Sequence, residues 1–202
     1  MGLDYLNLIL SYALFVLATV GTPGPNVVMI AASGANFGIK RSIPHIMGVV
    51  FGFIFMMALV GTGLGQIFDL YPFIHDVLRY IGAAFMLYLA YKIATAKNNM
   101  QNGKVVGKPL TFIQASAFQW VNPKAWVMII GAIAQFLTVG GDKFVELAII
   151  VTVHLVVSAP MTFAWCLFGR EIGKLLKSEM AFRVFNYTMA SLLVIAIFTL
   201  FI

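Results

Sequence analysis

The chain has 202 residues, of which 61% are hydrophobic and 10% are charged, and its formal net charge is +6. A soluble domain carries about 25% charged residues, so this composition excludes a soluble enzyme, a nucleic-acid-binding protein and a disordered chain. The basic residues lie between apolar stretches, which is typical of membrane orientation and not of a phosphate-binding patch. The sequence therefore predicts an all-α integral membrane protein.

Six apolar stretches are long enough to cross a bilayer as helices, which takes about 20 residues each. They cover residues 6–37, 43–68, 77–95, 111–138, 145–168 and 182–202. Residues 96–110 form the longest connection, and they divide a single transmembrane domain (1–202) into three-helix halves, 1–95 and 111–202. Because each half has an odd number of helices, we expect the halves to form a 3+3 inverted repeat, as in many secondary transporters.

The basic residues predict the orientation of these helices. Ten of the 13 Lys and Arg residues follow the first, third and fifth stretches, whereas two follow the second and fourth. Basic loops stay in the cytoplasm, so we expect the connection 96–110 to be cytoplasmic and both termini to lie outside. The chain begins without a basic segment, and we expect its first stretch to be retained as a helix and not cleaved as a signal peptide. A re-entrant first hairpin stays open as an alternative.

Proline motifs interrupt the first and fourth stretches. Residues 21–26 contain two prolines and two glycines, which cannot continue an ideal helix. Residues 119–124 contain an Asn-Pro pair, and Asn is a good N-cap while Pro is favoured at the first helical position. Each break is therefore predicted to start a second half-helix near the middle of the membrane. Plain proline kinks are the alternative.

A half-helix start inside the membrane favours an anionic guest, because it leaves free N–H groups and a partial positive charge. The first and fourth helices are antiparallel, so their starts can meet, and Lys124 adds a full positive charge unless it reaches to the interface instead. We therefore expect a substrate carboxylate at this junction. The candidate substrate-binding residues are Thr22, Pro23, Gly24, Pro25, Asn26, Gln119, Asn122, Pro123 and Lys124.

His154 lies near the middle of the fifth stretch, and histidine is the side chain that ordinarily titrates near neutral pH. It is the candidate for proton coupling, although a histidine bonded to a neighbouring helix, a proton carried by the substrate, or exchange without protons are alternatives. Further polar residues either line the cavity or join helices: Gln114, Ser158, Asn186 and Tyr187. Gly48 and Gly52 have the spacing of close helix packing, within the chain or in a homodimer.

Several segments resemble the LysE/RhtB family of amino-acid exporters. They are TPGPN (22–26), GANFGIKRS (34–42), YIGAAFMLYLAYKI (80–93), KPLTF (108–112) and QWVNPKA (119–125). Within the family, the sequence looks most like exporters of cysteine and O-acetylserine. The resemblance implies efflux of small amino acids or derivatives across a bacterial inner membrane by a proton-driven antiporter, with no cofactor and no metal.

Three other functions make different demands on the sequence. An intramembrane enzyme needs a motif such as HExxH or GxSxG, or paired membrane aspartates, and the chain contains none of them. A channel of the same architecture would need rings of charges or carbonyls in an oligomer. A thiol-reductant carrier of the same superfamily needs two cysteines, whereas this chain has Cys166 alone, which we expect to be an inert buried thiol.

Overall fold

The fold is described by a computed structural model, which covers residues 2–64, 71, 73–96, 107–138, 141–176 and 178–198. In these ranges there are seven α-helices and no strand, which confirms the all-helical prediction for this part of the chain. The helices are α1 (Gly2–Gly21), α2 (Pro25–Leu59), α3 (Phe73–Ala94), α4 (Phe112–Val121), α5 (Pro123–Phe136), α6 (Lys143–Leu175) and α7 (Glu179–Phe198), and a π-helical segment (Val60–Leu64) follows α2. Residues 65–68, 97–106 and 199–202 of the predicted stretches and connection lie outside the described residues.

The helices have the length and surface of an integral membrane protein. Four of the described helical segments are long and apolar enough to span a bilayer: Pro25–Leu64, Asp76–Ala94, Lys143–Leu175 and Glu179–Phe198. Two shorter apolar helices, Tyr5–Gly21 and Pro123–Phe136, accompany them. Large apolar side chains on different helices are more than half exposed, among them Leu14, Phe55 and Val127. A surface of this kind is suited to lipid and would aggregate in water.

α2 folds back on itself at Gly38. This residue has φ 73° and ψ 170°, a conformation that essentially only glycine adopts. The Ser33 hydroxyl lies 2.8 Å from Nδ1 of His45, although 12 residues of straight helix would span about 18 Å. We name residues 25–37 arm A and residues 39–59 arm B. The reversal falls between the predicted first and second stretches, with one glycine in place of a longer loop.

α1 and arm A lie end to end along α6 and run in the same direction as α6. The contacts that show this are Tyr12 with His154, Gly21 with Met161, Ala31 with Gly169, and Ala35 with Gly173. The chain leaves the helical conformation at residues 22–24, between the two segments. They are therefore the two parts of one broken helix, with the interruption at the proline motif.

Arm B runs antiparallel to α6 and parallel to α4. Phe53 of arm B contacts His154 of α6, and Gly61 in the π-helical segment that follows contacts Leu147. The contacts of arm B with α4 are Gly48 with Phe112 and Gly52 with Ser116. The close packing of Gly48 and Gly52 is thus used inside the chain, against α4. α4 and α5 are separated at Asn122, which has an extended conformation between the two helices, so the fourth predicted stretch is also a broken helix.

The remaining helices complete two apolar clusters on either side of α2. One cluster joins α1, arm B, α5 and α6 through Tyr12, Met56, Ile129 and Ile150. The other joins arm A, α3, α4 and α7 through Met29, Met86, Phe118 and Leu193. Because α2 contributes to both clusters, its fold at Gly38 places the first break between them.

Arm A approaches α6 so closely that backbone meets backbone. A Cβ atom added at Gly34 would overlap the carbonyl oxygen of Cys166, and one added at Gly169 would overlap the carbonyl oxygen of Ala31. Neither carbonyl can move without disturbing its own helix. The two glycines therefore fix the distance between arm A and α6.

We expect Gly34→Ala and Gly169→Ala each to lower stability by about 1–3 kcal/mol, because the added methyl group forces the helices apart. Gly131→Ala is the matched control, since nothing lies within 4 Å of a Cβ at that helical position and alanine is the better helix former by about 1 kcal/mol. The measurement is the unfolding midpoint in detergent. Equal midpoints for Gly34→Ala and Gly131→Ala would show that the close approach is wrong.

Candidate functional site

The two helix breaks meet through Lys124. Its Nζ donates to the carbonyl oxygen and the hydroxyl of Thr22, both at 2.8 Å, and lies 3.5 Å from the carbonyl oxygen of Pro23. The Lys124 side chain also crosses Gly24, where a Cβ would lie 2.7 Å from its Cδ. These contacts place a cation next to the carbonyl end of α1, which carries a partial negative charge. Lys124 therefore faces the first break.

The two half-helix starts differ in how their N–H groups are satisfied. At α5, the side-chain oxygen of Asn122 accepts from the backbone N–H of Lys124 at 3.1 Å. The backbone carbonyl oxygen of Asn122 accepts from the N–H groups of Ala125 and Trp126. At α2, Gly24 occupies the cap position and no side chain caps the helix. The partial positive charge of a helix start is thus internally compensated at α5 and open at α2.

A reciprocal amide pair connects the α2 start to the last turn of α4. Asn26 Nδ2 donates to Gln119 Oε1 at 2.8 Å, and Gln119 Nε2 donates to Asn26 Oδ1 at 3.3 Å. Gln119 is fully buried and also donates to the carbonyl oxygen of Ala115. Because a buried amide is costly to leave unpaired, this pair holds the two breaks in a fixed register.

His154 is bonded to a tyrosine and stacked on a phenylalanine. Its Nδ1 lies 3.0 Å from the Tyr12 hydroxyl. Its ring lies parallel to that of Phe53 at 4.2 Å between centroids. A histidine bonded to a neighbouring helix is one of the sequence alternatives, and the Tyr12 contact is of this kind.

One cavity of about 60 Å³ brings the first break and His154 together. Five of the predicted site residues line it: Gly24, Asn26, Asn122, Lys124 and His154. Ser158 also lines it, and the Ser158 hydroxyl is buried with no hydrogen-bond partner among the described residues. The rest of the wall is mainly apolar, as is usual for sites that bind small molecules. The space as it stands has room for a few water molecules.

The other predicted residues support this cavity or lie away from it. Thr22 and Pro23 accept from Lys124, Gln119 pairs with Asn26, and Pro25 and Pro123 begin their helices. Three further polar residues are not in the cavity wall: Gln114 forms the capping box of α4, Asn186 pairs with Asn36, and Tyr187 is exposed.

Sequence reasoning missed two polar residues of the wall, Thr19 and Thr162. Thr162 had a signal, because residues 154, 158 and 162 are spaced by four and polar in an otherwise apolar helix, which places them on one helix face. Thr19 had no such signal, since its hydroxyl bonds back to the carbonyl oxygen of Phe15 within α1.

Comparison with known proteins agrees with this architecture. A family model described as LysE type translocator matches residues 17–201. The cysteine/O-acetylserine efflux protein of Klebsiella pneumoniae is 29% identical over 188 residues, which cover 93% of this chain and 94% of that protein. The protein of the same description from Escherichia coli (strain K12) is 28% identical over 191 residues, covering 93% and 94%. That of Salmonella typhimurium is 32% identical over 123 residues, covering 61% and 62%. No solved structure gives a significant match.

Proposed function

The chain belongs to the LysE type translocator family, and on that premise we propose that it exports a small amino acid or a derivative from the bacterial cytoplasm. A translocator is not an enzyme, so the intramembrane enzyme considered from the sequence is set aside. Cysteine and O-acetylserine are the first substrates to test, because the relatives from Klebsiella and Escherichia are named for their efflux.

The observation that carries the proposal is the junction of the two breaks, with Lys124 beside the uncapped start of α2. An ammonium group has three donors, and Thr22 occupies two of them at 2.8 Å while the contact to Pro23 is long at 3.5 Å. The third donor and the open α2 start are both complementary to a carboxylate. A substrate carboxylate binds between them, and the apolar wall and the Ser158 hydroxyl contact the rest of the molecule.

The substrate requires the cavity to enlarge, because about 60 Å³ is too small for an amino acid. Carboxylate binding at the third donor draws the Lys124 ammonium group toward the α2 start and weakens its two bonds to Thr22. Release of this contact frees the carbonyl end of α1 from the break in the fourth stretch. Binding of the substrate is therefore coupled to the geometry of the two breaks, as alternating access requires.

The contact pattern supports six membrane crossings in a 3+3 inverted repeat. Exchange of the two halves relates α1 plus arm A to α4 plus α5, arm B to α6, and α3 to α7. Under this exchange, the contact of α1 with α6 corresponds to the contact of α4 with arm B. The contact of arm B with α6 and the contact of α3 with α7 each correspond to themselves. The halves are residues 1–95 and 111–202, joined by 96–110 on the cytoplasmic side, with both termini outside.

This topology predicts opposite signals from reporters at the C-terminus and within residues 97–106. A periplasm-active phosphatase fused at the C-terminus should be active, and the same enzyme inserted in 97–106 should be inactive. A cytoplasm-active reporter at the two positions is the matched control and should give the reverse result. Signals on the same side would exclude three crossings per half.

Removal of the Lys124 charge should weaken carboxylate binding. A charge-assisted hydrogen bond contributes about 1.5–3 kcal/mol, which corresponds to about 10- to 150-fold in affinity. We expect Lys124→Met to insert and fold but to bind labelled cysteine or O-acetylserine more weakly by about this factor in proteoliposomes. Lys174→Met is the control, since Lys174 pairs with Glu171 outside the cavity.

Weaker binding by Lys124→Met has two explanations, loss of the contact with the carboxylate and general damage to the protein. A substrate whose carboxylate is replaced by an amide distinguishes them. The amide should bind the wild type poorly and should bind Lys124→Met about as well as the acid does. Equal binding of acid and amide to the wild type would exclude a carboxylate site. Absence of transport for a full panel of amino acids under an imposed pH gradient would overturn the proposed function itself.

We also propose that His154 carries the coupled proton, because it lines the same cavity as Lys124 and histidine is the residue type that, unperturbed, changes its charge near neutral pH. His154→Gln keeps a polar side chain of similar length but does not titrate. We expect it to bind substrate normally while transport no longer responds to a pH gradient. Tyr12→Phe is the companion variant: it removes the hydroxyl 3.0 Å from Nδ1 but leaves the histidine. Normal gradient-driven transport by His154→Gln would show that the residue is structural.

A further inference from the structure

A second, larger cavity lies at the other end of arm A. Its volume is about 360 Å³, within the range of sites that hold small molecules. Its polar wall is formed by Ser33, Asn36, His45, Lys92, Thr95 and Lys108. The cavity shares no lining residue with the cavity of the two breaks. Sequence reasoning did not identify it, because its residues come from three separate stretches and a loop.

His45 is the most informative residue of this wall. It is buried, and its Nε2 has no hydrogen-bond partner among the described residues. Its Nδ1 lies 2.8 Å from the Ser33 hydroxyl. When that hydroxyl donates to Nδ1, the neutral imidazole carries its proton on Nε2. In this tautomer the buried Nε2–H group has no acceptor in the described residues, which is costly, and a ligand in the cavity would supply one.

The charges around the cavity are positive. Lys92 and Lys108 line it, and no aspartate or glutamate is among its lining residues. Arg41 donates to the carbonyl oxygen of Gly107 at 2.8 Å, which holds the segment with Lys108 against the turn of α2. The missing acceptor is therefore expected to be an anion.

We propose that this second cavity is a binding site for the carboxylate of a small solute. Nε2 of His45 donates to one carboxylate oxygen, and Lys92 and Lys108 neutralise the charge. Asn36 is already paired with Asn186, so it shapes the wall and does not bind the anion. If the proposed export function holds, the site lies on the predicted cytoplasmic side and captures the substrate before it reaches the helix breaks.

The test uses a cysteine at the rim of the cavity as a local reporter. Thr95 lines the cavity and is exposed, whereas the native Cys166 is fully buried. In purified full-length Thr95→Cys, labelling by a methanethiosulfonate reagent is followed by mass spectrometry. We expect saturating propionate to slow labelling at least threefold, and the neutral isostere propionamide to have no effect. Thr62→Cys, exposed and outside both cavities, is the control and should label at the same rate in all conditions.

Three further variants locate the charge that is recognised. Lys92→Gln with Lys108→Gln in the Thr95→Cys background should abolish protection, whereas Lys174→Gln should retain it. Lys124→Met should also retain it, so that failure of the proposed transport site leaves this result unchanged. Equal protection by propionamide, protection by inorganic phosphate but not by propionate, or no protection would each overturn the proposal. The propionate and propionamide comparison needs no lysine variant and stands if those variants do not fold.

Discussion

The constraint on which this structure depends is that a backbone polar group in hydrocarbon cannot be left without a partner. Two helices are broken within the bundle, and each break exposes N–H and C=O groups that an intact helix would satisfy. The two breaks solve this problem together, because Lys124 from one bonds the Thr22 carbonyl of the other and Asn26 pairs with Gln119. Each break thus gains hydrogen-bond partners from the other, so their convergence contributes to the stability of the fold.

Close packing of arm A against α6 fixes the geometry of the cavity at the two breaks. The glycines at 34 and 169 bring arm A against α6 with backbone in contact, so residues of the two helices keep a fixed register. Both helices contribute to the wall of the cavity at the breaks, with Asn26 and Ile30 from arm A and His154 and Ser158 from α6. A side chain larger than hydrogen at either glycine would shift the two walls relative to each other. The site therefore depends on residues that never touch it.

The sequence was sufficient to predict both breaks, since proline, glycine and asparagine act through local backbone chemistry. The sequence was less informative about features that depend on tertiary packing, such as where a helix ends. α6 continues to Leu175, beyond the predicted end at residue 168, because Arg170 and Lys174 reduce hydropathy without ending a helix and both pair with Glu171. A reversal between residues 37 and 43 was predicted from hydropathy, but the contact of His45 with Ser33 depends on tertiary packing, which hydropathy does not report.

Arm A contributes to two cavities that differ in size and polarity. At the break, the cavity is small, mainly apolar and lined by Lys124, whereas at the Gly38 turn it is larger and lined by Lys92 and Lys108. Because arm A is in backbone contact with α6, an enlargement of the first cavity that keeps this contact displaces α1, arm B or α5, which form the rest of its wall. Arm B joins arm A through Gly38, which has a φ of 73°. Because glycine has no side chain, the backbone can change conformation at this residue. It also contributes His45 to the second cavity and Phe53 to the first, so its displacement changes both cavities at once.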